Sequence, residues 1–197
     1  MLREVGESFE TMILIRTLLA IAALFGLAAA NPLAAAPIKI GMITTLSGAG
    51  AALGVDIRDG FKLAIDLRGG SLGGVPVELI VVDDSQDVEN AKEIANRMLK
   101  KDEVDIVTGI IWSNLALAVV PTVTRAGKFY ISPNAGPSAL AGKNCQPNFF
   151  NVAWQNDNLH EAVGKYVQDK VFKNVVIVTP NYPGGKDAVS GFTRFYK

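Results

Sequence analysis

The chain has 197 residues, 49% hydrophobic and 19% charged, too apolar for a disordered segment and long enough for one large domain or one lobe and part of another. Its 19 Lys and Arg balance 19 Asp and Glu, so no excess of positive charge draws it to nucleic acid. One Cys (Cys145) and one His (His160) exclude an internal disulfide and a Cys-rich metal site, and leave familiar zinc and Ser-His-Asp sites short of parts.

In chain order, residues 1–11 (MLREVGESFET) are polar and acidic, after which Arg16 precedes an apolar run from Thr17 to Ala30 and a tail of small residues. That layout predicts a signal peptide over residues 1–36, with translation starting at Met12 and cleavage after Ala30 or near Ala36. The run is shorter than the roughly 20 residues of a membrane span. A buried apolar helix of a cytosolic domain is the alternative. No Cys follows the run to accept a lipid, so the expectation is an exported, soluble, periplasmic product.

From residue 37 strands and helices alternate. Ile38 to Thr44 is an apolar, β-branched run of the kind that forms a strand buried on both faces. A Gly-rich loop, Ser47 to Gly54, leads to a helix predicted at 55–68, with Ile57, Phe61, Ala64, Ile65 and Arg68 near helical spacing. Gly69-Gly70 and Gly73-Gly74 end it, and Val77 to Val82 is the second strand. Asp87 is placed to cap a helix whose Ala91, Ile94, Ala95, Met98 and Leu99 form one stripe. Val104–Thr108 reads as strand three, Leu115–Arg125 as a helix opened by Ser113 or Asn114, and Phe129–Ile131 as strand four.

This alternation predicts an α/β fold, an open parallel sheet flanked by helices. Residues 132–150 break the rhythm as a Pro/Gly/Asn-rich connection. A helix at about 157–171, a strand at Val175–Thr179 and a helix from Gly185 then follow. The expected organisation is lobe one over 37–153 and the incomplete beginning of lobe two over 154–197.

Ligands of open parallel sheets sit beyond the C-terminal strand ends. The loops there, Leu46–Gly54, Asp83–Asp87, Ile110–Asn114, Ser132–Ser138 and Thr179–Gly185, carry hydroxyls, amides and aromatics without a nucleophile–base pair. Ser113 and the amides opening the following helix suit a carboxylate, with Trp112 or Tyr182 as an apolar wall. A helix N-cap and core packing are the structural alternatives for Ser113 and Trp112. The Gly48–Gly54 stretch departs from the dinucleotide fingerprint: its third Gly is replaced by Leu53, and Asp83-Asp84 come too late. Those two acids alternate faces at a strand end, so capping the next helix is expected of them rather than metal binding. No metal or cofactor is implied.

The stretches IKIGMITTLSGAGAALG, FKLAID, ELIVVDDSQD, the Ser113-Asn114 turn, FYISPNAGPSALAG and NYPGGKDAVSGF carry a family resemblance. From Ile38 onward the sequence resembles the branched-chain-amino-acid-type solute-binding proteins of ABC transporters, the type I periplasmic binding proteins. The resemblance implies two α/β lobes closing on a small ligand, twice this length in all, and a membrane permease as partner. It carries first-lobe contacts onto Leu53, Ser113, Asn134 and Gly136, with neighbouring Asn114 and Ala135, and a second-lobe aromatic onto Tyr182. Gly136 departs from the Thr or Ser of amino-acid binders, and Leu53 replaces a frequent aromatic. The acid that pairs with a ligand ammonium is expected beyond residue 197. Trp112 and the run SPNAGPSALAGKNCQPNFF look more like subfamily members associated with aromatic or other organic acids. The expected function is therefore non-enzymatic capture of an amino acid or small organic acid. A ligand-sensing receptor or regulatory domain of the same fold is the alternative. An exported α/β enzyme would need a G-x-S-x-G elbow, which the sequence lacks.

Overall fold

The computed structural model describes residues 35–196, so the predicted signal run lies outside the described residues. β1 (Ile38–Thr44) is central in a six-stranded sheet of order β2-β3-β1-β4-β5-β6. It pairs in parallel with β3 (Val75–Asp83) on one side and β4 (Ile106–Thr108) on the other. β5 (Phe129–Ser132) and β6 (Phe149–Asn151) continue the parallel order. β2 (Ser71–Leu72) is the exception, an antiparallel edge joined to β3 through Gly73-Gly74. Both turn glycines have positive φ, as a two-residue hairpin of this hand requires. The Gly pairs thus do more than end a helix: the second makes a hairpin, and the sheet is mixed at that edge.

α1 (Ala51–Asp66) starts earlier than the loop-rich sequence predicts. Gly54 is buried inside its first turn, where a Cβ would run into the Thr45 carbonyl. Its glycine serves close helix–strand approach and not loop freedom. α2 (Val88–Arg97) is capped by Asp87, whose side chain accepts the Asn90 amide hydrogen at 2.7 Å. α3 (Ser113–Arg125) packs with α2 on one face of the sheet, and Ile94, Met98, Val107, Leu115, Val119, Val123 and Tyr130 fill the core between them. Burying such side chains contributes roughly 1.5–3 kcal/mol apiece and dominates the stability of the sheet layer.

The 132–150 connection contains a one-turn helix, α4 (Ser138–Ala141), and leads into β6, which the Pro/Gly/Asn content concealed. Beyond it, α5 (Asn156–Asp169) and α6 (Pro183–Phe195) pack tightly. Gly164 lies against the Phe192 carbonyl and Gly191 against that of Asp157, leaving no room for a Cβ at either. The strand expected at Val175–Thr179 is absent. The segment carries no regular secondary structure and has no ladder partner among the described residues, and Val176 and Val178 are 88% and 92% exposed. β-branched residues favour extension, but only a neighbouring strand makes it a sheet. No helix among the described residues is long and apolar enough to cross a membrane.

Candidate functional site

Three helices begin around one small cavity. α3 opens at Ser113, α5 at Asn156 and α6 at Pro183, and none of their N-cap residues, Trp112, Gln155 and Tyr182, makes a side-chain cap. First-turn N–H groups and the positive ends of three helix dipoles are therefore gathered without a capping side chain at any N-cap, Asp157 of α5 being the one acidic residue in their first turns. The cavity, about 200 Å3, is lined by Ser113, Asn156 and Gly184 from these first turns, with Asn134, Ala135 and His160 around them.

Polar contacts fix the first turns against one another. Asn156 Nδ2 donates to Ser113 Oγ at 2.9 Å and to Asp187 Oδ2 at 3.1 Å. Asp187 Oδ2 also accepts the Ser138 amide hydrogen at 2.9 Å. Because Ser113 Oγ receives the Asn156 hydrogen, its own hydroxyl proton is left to donate. A Cβ on Gly184 would stand 3.2 Å from Ser113 Oγ and 2.5 Å from the Tyr182 hydroxyl, so a larger residue there would press on both side chains. His160 Nδ1 lies 2.8 Å from the Asn156 carbonyl, which can only accept, so Nδ1 is the donor in this contact.

An aromatic wall stands beside this polar corner. Trp112 meets Tyr182 edge-on, centroids 6.4 Å apart and planes at 70°. Both line a second cavity of about 270 Å3 with Gln86, Asn114, Pro180 and Asn181, and Tyr182 borders both cavities. A larger opening of about 430 Å3, between Thr179–Asn181 and Gly185–Ser190, has no aromatic side chain, and the convergent groups are absent from it.

Behind the wall, Trp112 Nε1–H donates to Thr45 Oγ1 at 2.9 Å, and the Thr45 hydroxyl donates to Asp84 Oδ1 at 2.6 Å. The Gln86 amide donates to the same carboxylate oxygen at 2.8 Å. Asp84 is fully buried, and burial raises its pKa above the ordinary carboxylate value although these donors oppose it. Asp83 goes the other way. Burial works against its charge, but the Leu46 and Ser85 amides and the Ser47 and Ser85 hydroxyls overcome that and lower its pKa. Neither acid caps α2, contrary to the sequence expectation: Asp87 does so, while Asp83 and Asp84 hold the loop after β1.

The structure gathers Ser113, Asn134, Ala135 and Tyr182 at one cavity and Trp112, Asn114 and Tyr182 at the other. Leu53 lies on α1, 48% exposed, and borders neither. Gly136 is buried beside them, its carbonyl accepting the Asn156 amide hydrogen at 2.8 Å, with no space for a Cβ next to the Trp154 carbonyl. Ser113 is not an N-cap; Trp112 occupies that position. Asn156, His160 and Gln86 escaped the sequence reading. Asn156 at the start of an uncapped helix was the available signal.

The periplasmic binding protein profile matches residues 37–197. A Leu/Ile/Val-binding protein of Rhizobium johnstonii is 31% identical over 166 residues, 82% of this chain and 44% of that protein. Among solved structures, a solute-binding protein of an R. palustris ABC transporter in complex with benzoate superposes with TM-score 0.78 at 30% identity, covering 82% of this chain and 45% of its own. The branched-chain amino acid transporter substrate-binding protein of Streptococcus pneumoniae, in complex with isoleucine, gives TM-score 0.73 at 28% identity, with 82% and 47% covered. The chain thus spans less than half the length of the relatives it matches.

Proposed function

The chain belongs to the periplasmic binding protein family, and from that premise we propose that it is the extracytoplasmic binding component of an ABC uptake transporter, capturing an amino acid or a small organic acid, aromatic acids included. Three uncapped helix N-termini meeting at Ser113 carry the proposal. A carboxylate placed there accepts hydrogen bonds from the Ser113 hydroxyl and first-turn amides, while Tyr182 and Trp112 supply an apolar wall for the rest of the molecule. Asn114, Asn134 and Ala135 complete the lining, Gly136 backs it, and Leu53 is left for contact only in a closed form.

In our reading residues 1–36 are the export signal, 37–153 form lobe one, and 154–197 open lobe two. Lobe closure buries the ligand and presents a surface to the membrane permease. No step of catalysis is required. Relatives that hold benzoate and isoleucine support a carboxylate as the shared feature.

Calorimetric titration of the full-length protein with benzoate, 4-hydroxybenzoate, leucine and isoleucine tests the proposal. Saturable binding of at least one acid, lost with the corresponding amide, is the expected result. Failure of every carboxylate to bind would remove the proposal.

A further inference from the structure

We propose that Thr45, held by the buried carboxyl of Asp84, is a positioning residue that fixes the Trp112 indole as the aromatic wall and so sets selectivity for flat acids over branched aliphatic ones. This rests on the carboxylate-binding function proposed above.

The direction of each hydrogen bond leaves one arrangement. Asp84 Oδ1 accepts from both the Thr45 hydroxyl and the Gln86 amide, so the Thr45 proton is committed toward β3. The Thr45 lone pairs then face an indole N–H, which can only donate. Reversal of the chain would leave Nε1 without an acceptor, a costly outcome for a half-buried polar group.

Two further contacts seat the ring. A Cβ on Gly50 would lie 2.6 Å from Trp112 Cζ2, so the α1 N-cap position is filled by the indole edge itself. Tyr182 closes from the α6 side in the edge-on pair. The indole is thus held at once by the residue following β1 and by the N-cap residues of α1 and α6, whereas the residue after it, Ser113, holds the polar corner. A fixed flat wall next to a carboxylate site favours an aromatic ring that stacks or packs edge-on, and gives a branched aliphatic chain less to gain from a locked orientation.

The test uses the full-length protein labelled with 5-fluorotryptophan, the Trp112 19F resonance being the one lost in Trp112→Phe. Without ligand, Thr45→Val should shift or broaden that resonance, and Thr45→Ser, which keeps the hydroxyl, should leave it in place. Benzoate should bind Thr45→Val about tenfold more weakly, the worth of roughly one hydrogen bond, with isoleucine changed by less than about threefold. Thr45→Ser should restore benzoate. Should Thr45→Val fail to fold, Gly50→Ala displaces the same ring with Thr45 and Asp84 intact, and should move the resonance and the benzoate preference together. An unmoved resonance, or equal losses for both acids, overturns the positioning role. A wild-type protein that binds neither acid instead overturns the ligand proposal, and the resonance still decides the seat of Trp112.

Discussion

Asn156 Nδ2 donates to Ser113 Oγ at 2.9 Å, tying the first turn of α5 to the first turn of α3 across 43 residues of chain. The bond settles how the Ser113 hydroxyl is used. As an acceptor from Asn156, the oxygen has its proton free for a ligand carboxylate, and a hydrogen bond to a charged group contributes about 1.5–3 kcal/mol.

Ser113→Ala should therefore weaken binding of a carboxylate ligand by roughly ten- to a hundredfold, since about 1.4 kcal/mol is a factor of ten. The amide of the same ligand should lose less. Stability should fall little, because Ser113 makes no N-cap bond and Asn156 keeps Asp187 as a second acceptor. Titration of acid and amide against both proteins checks this. Equal losses for acid and amide would show that the hydroxyl is not the anchor.

Asn156 itself joins three pieces of chain, through Ser113, Asp187 and the Gly136 carbonyl. Removing its side chain in Asn156→Ala should cost about 1–2 kcal/mol from two lost hydrogen bonds. Asn156→Asp should cost more, because a carboxylate would then stand where an amide now donates to Asp187, and like charges at that distance repel. Thermal melting at pH 7 separates the two variants. An aspartate variant as stable as the alanine variant would mean that the contact with Asp187 does not constrain this position.

Much of this was legible because the signals are local. The apolar β-branched run of β1, the Asp87 cap and the Ala91–Leu99 stripe each declare an element within a few residues. Ser113 and Asn134 could be placed because loops at the C-terminal ends of parallel strands converge, whereas Tyr182 reaches the same cavity from the N-cap of α6. What escaped depends on long-range contact. Gly54 reads as loop until the Thr45 carbonyl sits on it, and β6 reads as coil until β5 offers its edge. Val175–Thr179 is the reverse: a strand by composition, with no partner among the described residues to make it one. The relay from Asp84 through Thr45 to Trp112 spans three strand ends, so nothing in any one segment announces it.

Gly136 stands where the family resemblance implies a Ser or Thr, and its surroundings can be tested. A Cβ there would overlap the Trp154 carbonyl and crowd Asn151 Nδ2, itself bonded to that carbonyl. Gly136→Ser should therefore destabilise by about 1–3 kcal/mol, as overpacking does, without adding a ligand donor. Chemical denaturation gives the stability and titration the affinity. A gain in carboxylate affinity at unchanged stability would show that the turn has room to open.

Acid sensitivity should trace to Asp157, at the α5–α6 contact. Its buried side chain accepts from Arg194 at 2.8 Å and Gln155 at 2.7 Å. Burial opposes the charge, but Arg194, Ser138 and Gln155 overcome it and hold the carboxyl below its ordinary value. A carboxyl depressed in the folded state stabilises above its unfolded pKa of about 4, and loses that contribution as pH falls through the lower folded value. Asp157→Asn should thus be less stable than wild type at pH 7, by about 1–2 kcal/mol given that Arg194 is half-exposed and screened. The gap should begin to narrow below pH ~4, where the unfolded carboxyl takes up its proton, and close as pH falls through the lower folded value, where the two side chains become alike in charge. Denaturation curves for both proteins from pH 7 down to pH ~3 measure the gap directly. A difference that is constant over that range would mean that the Asp157 charge contributes nothing to holding α5 against α6.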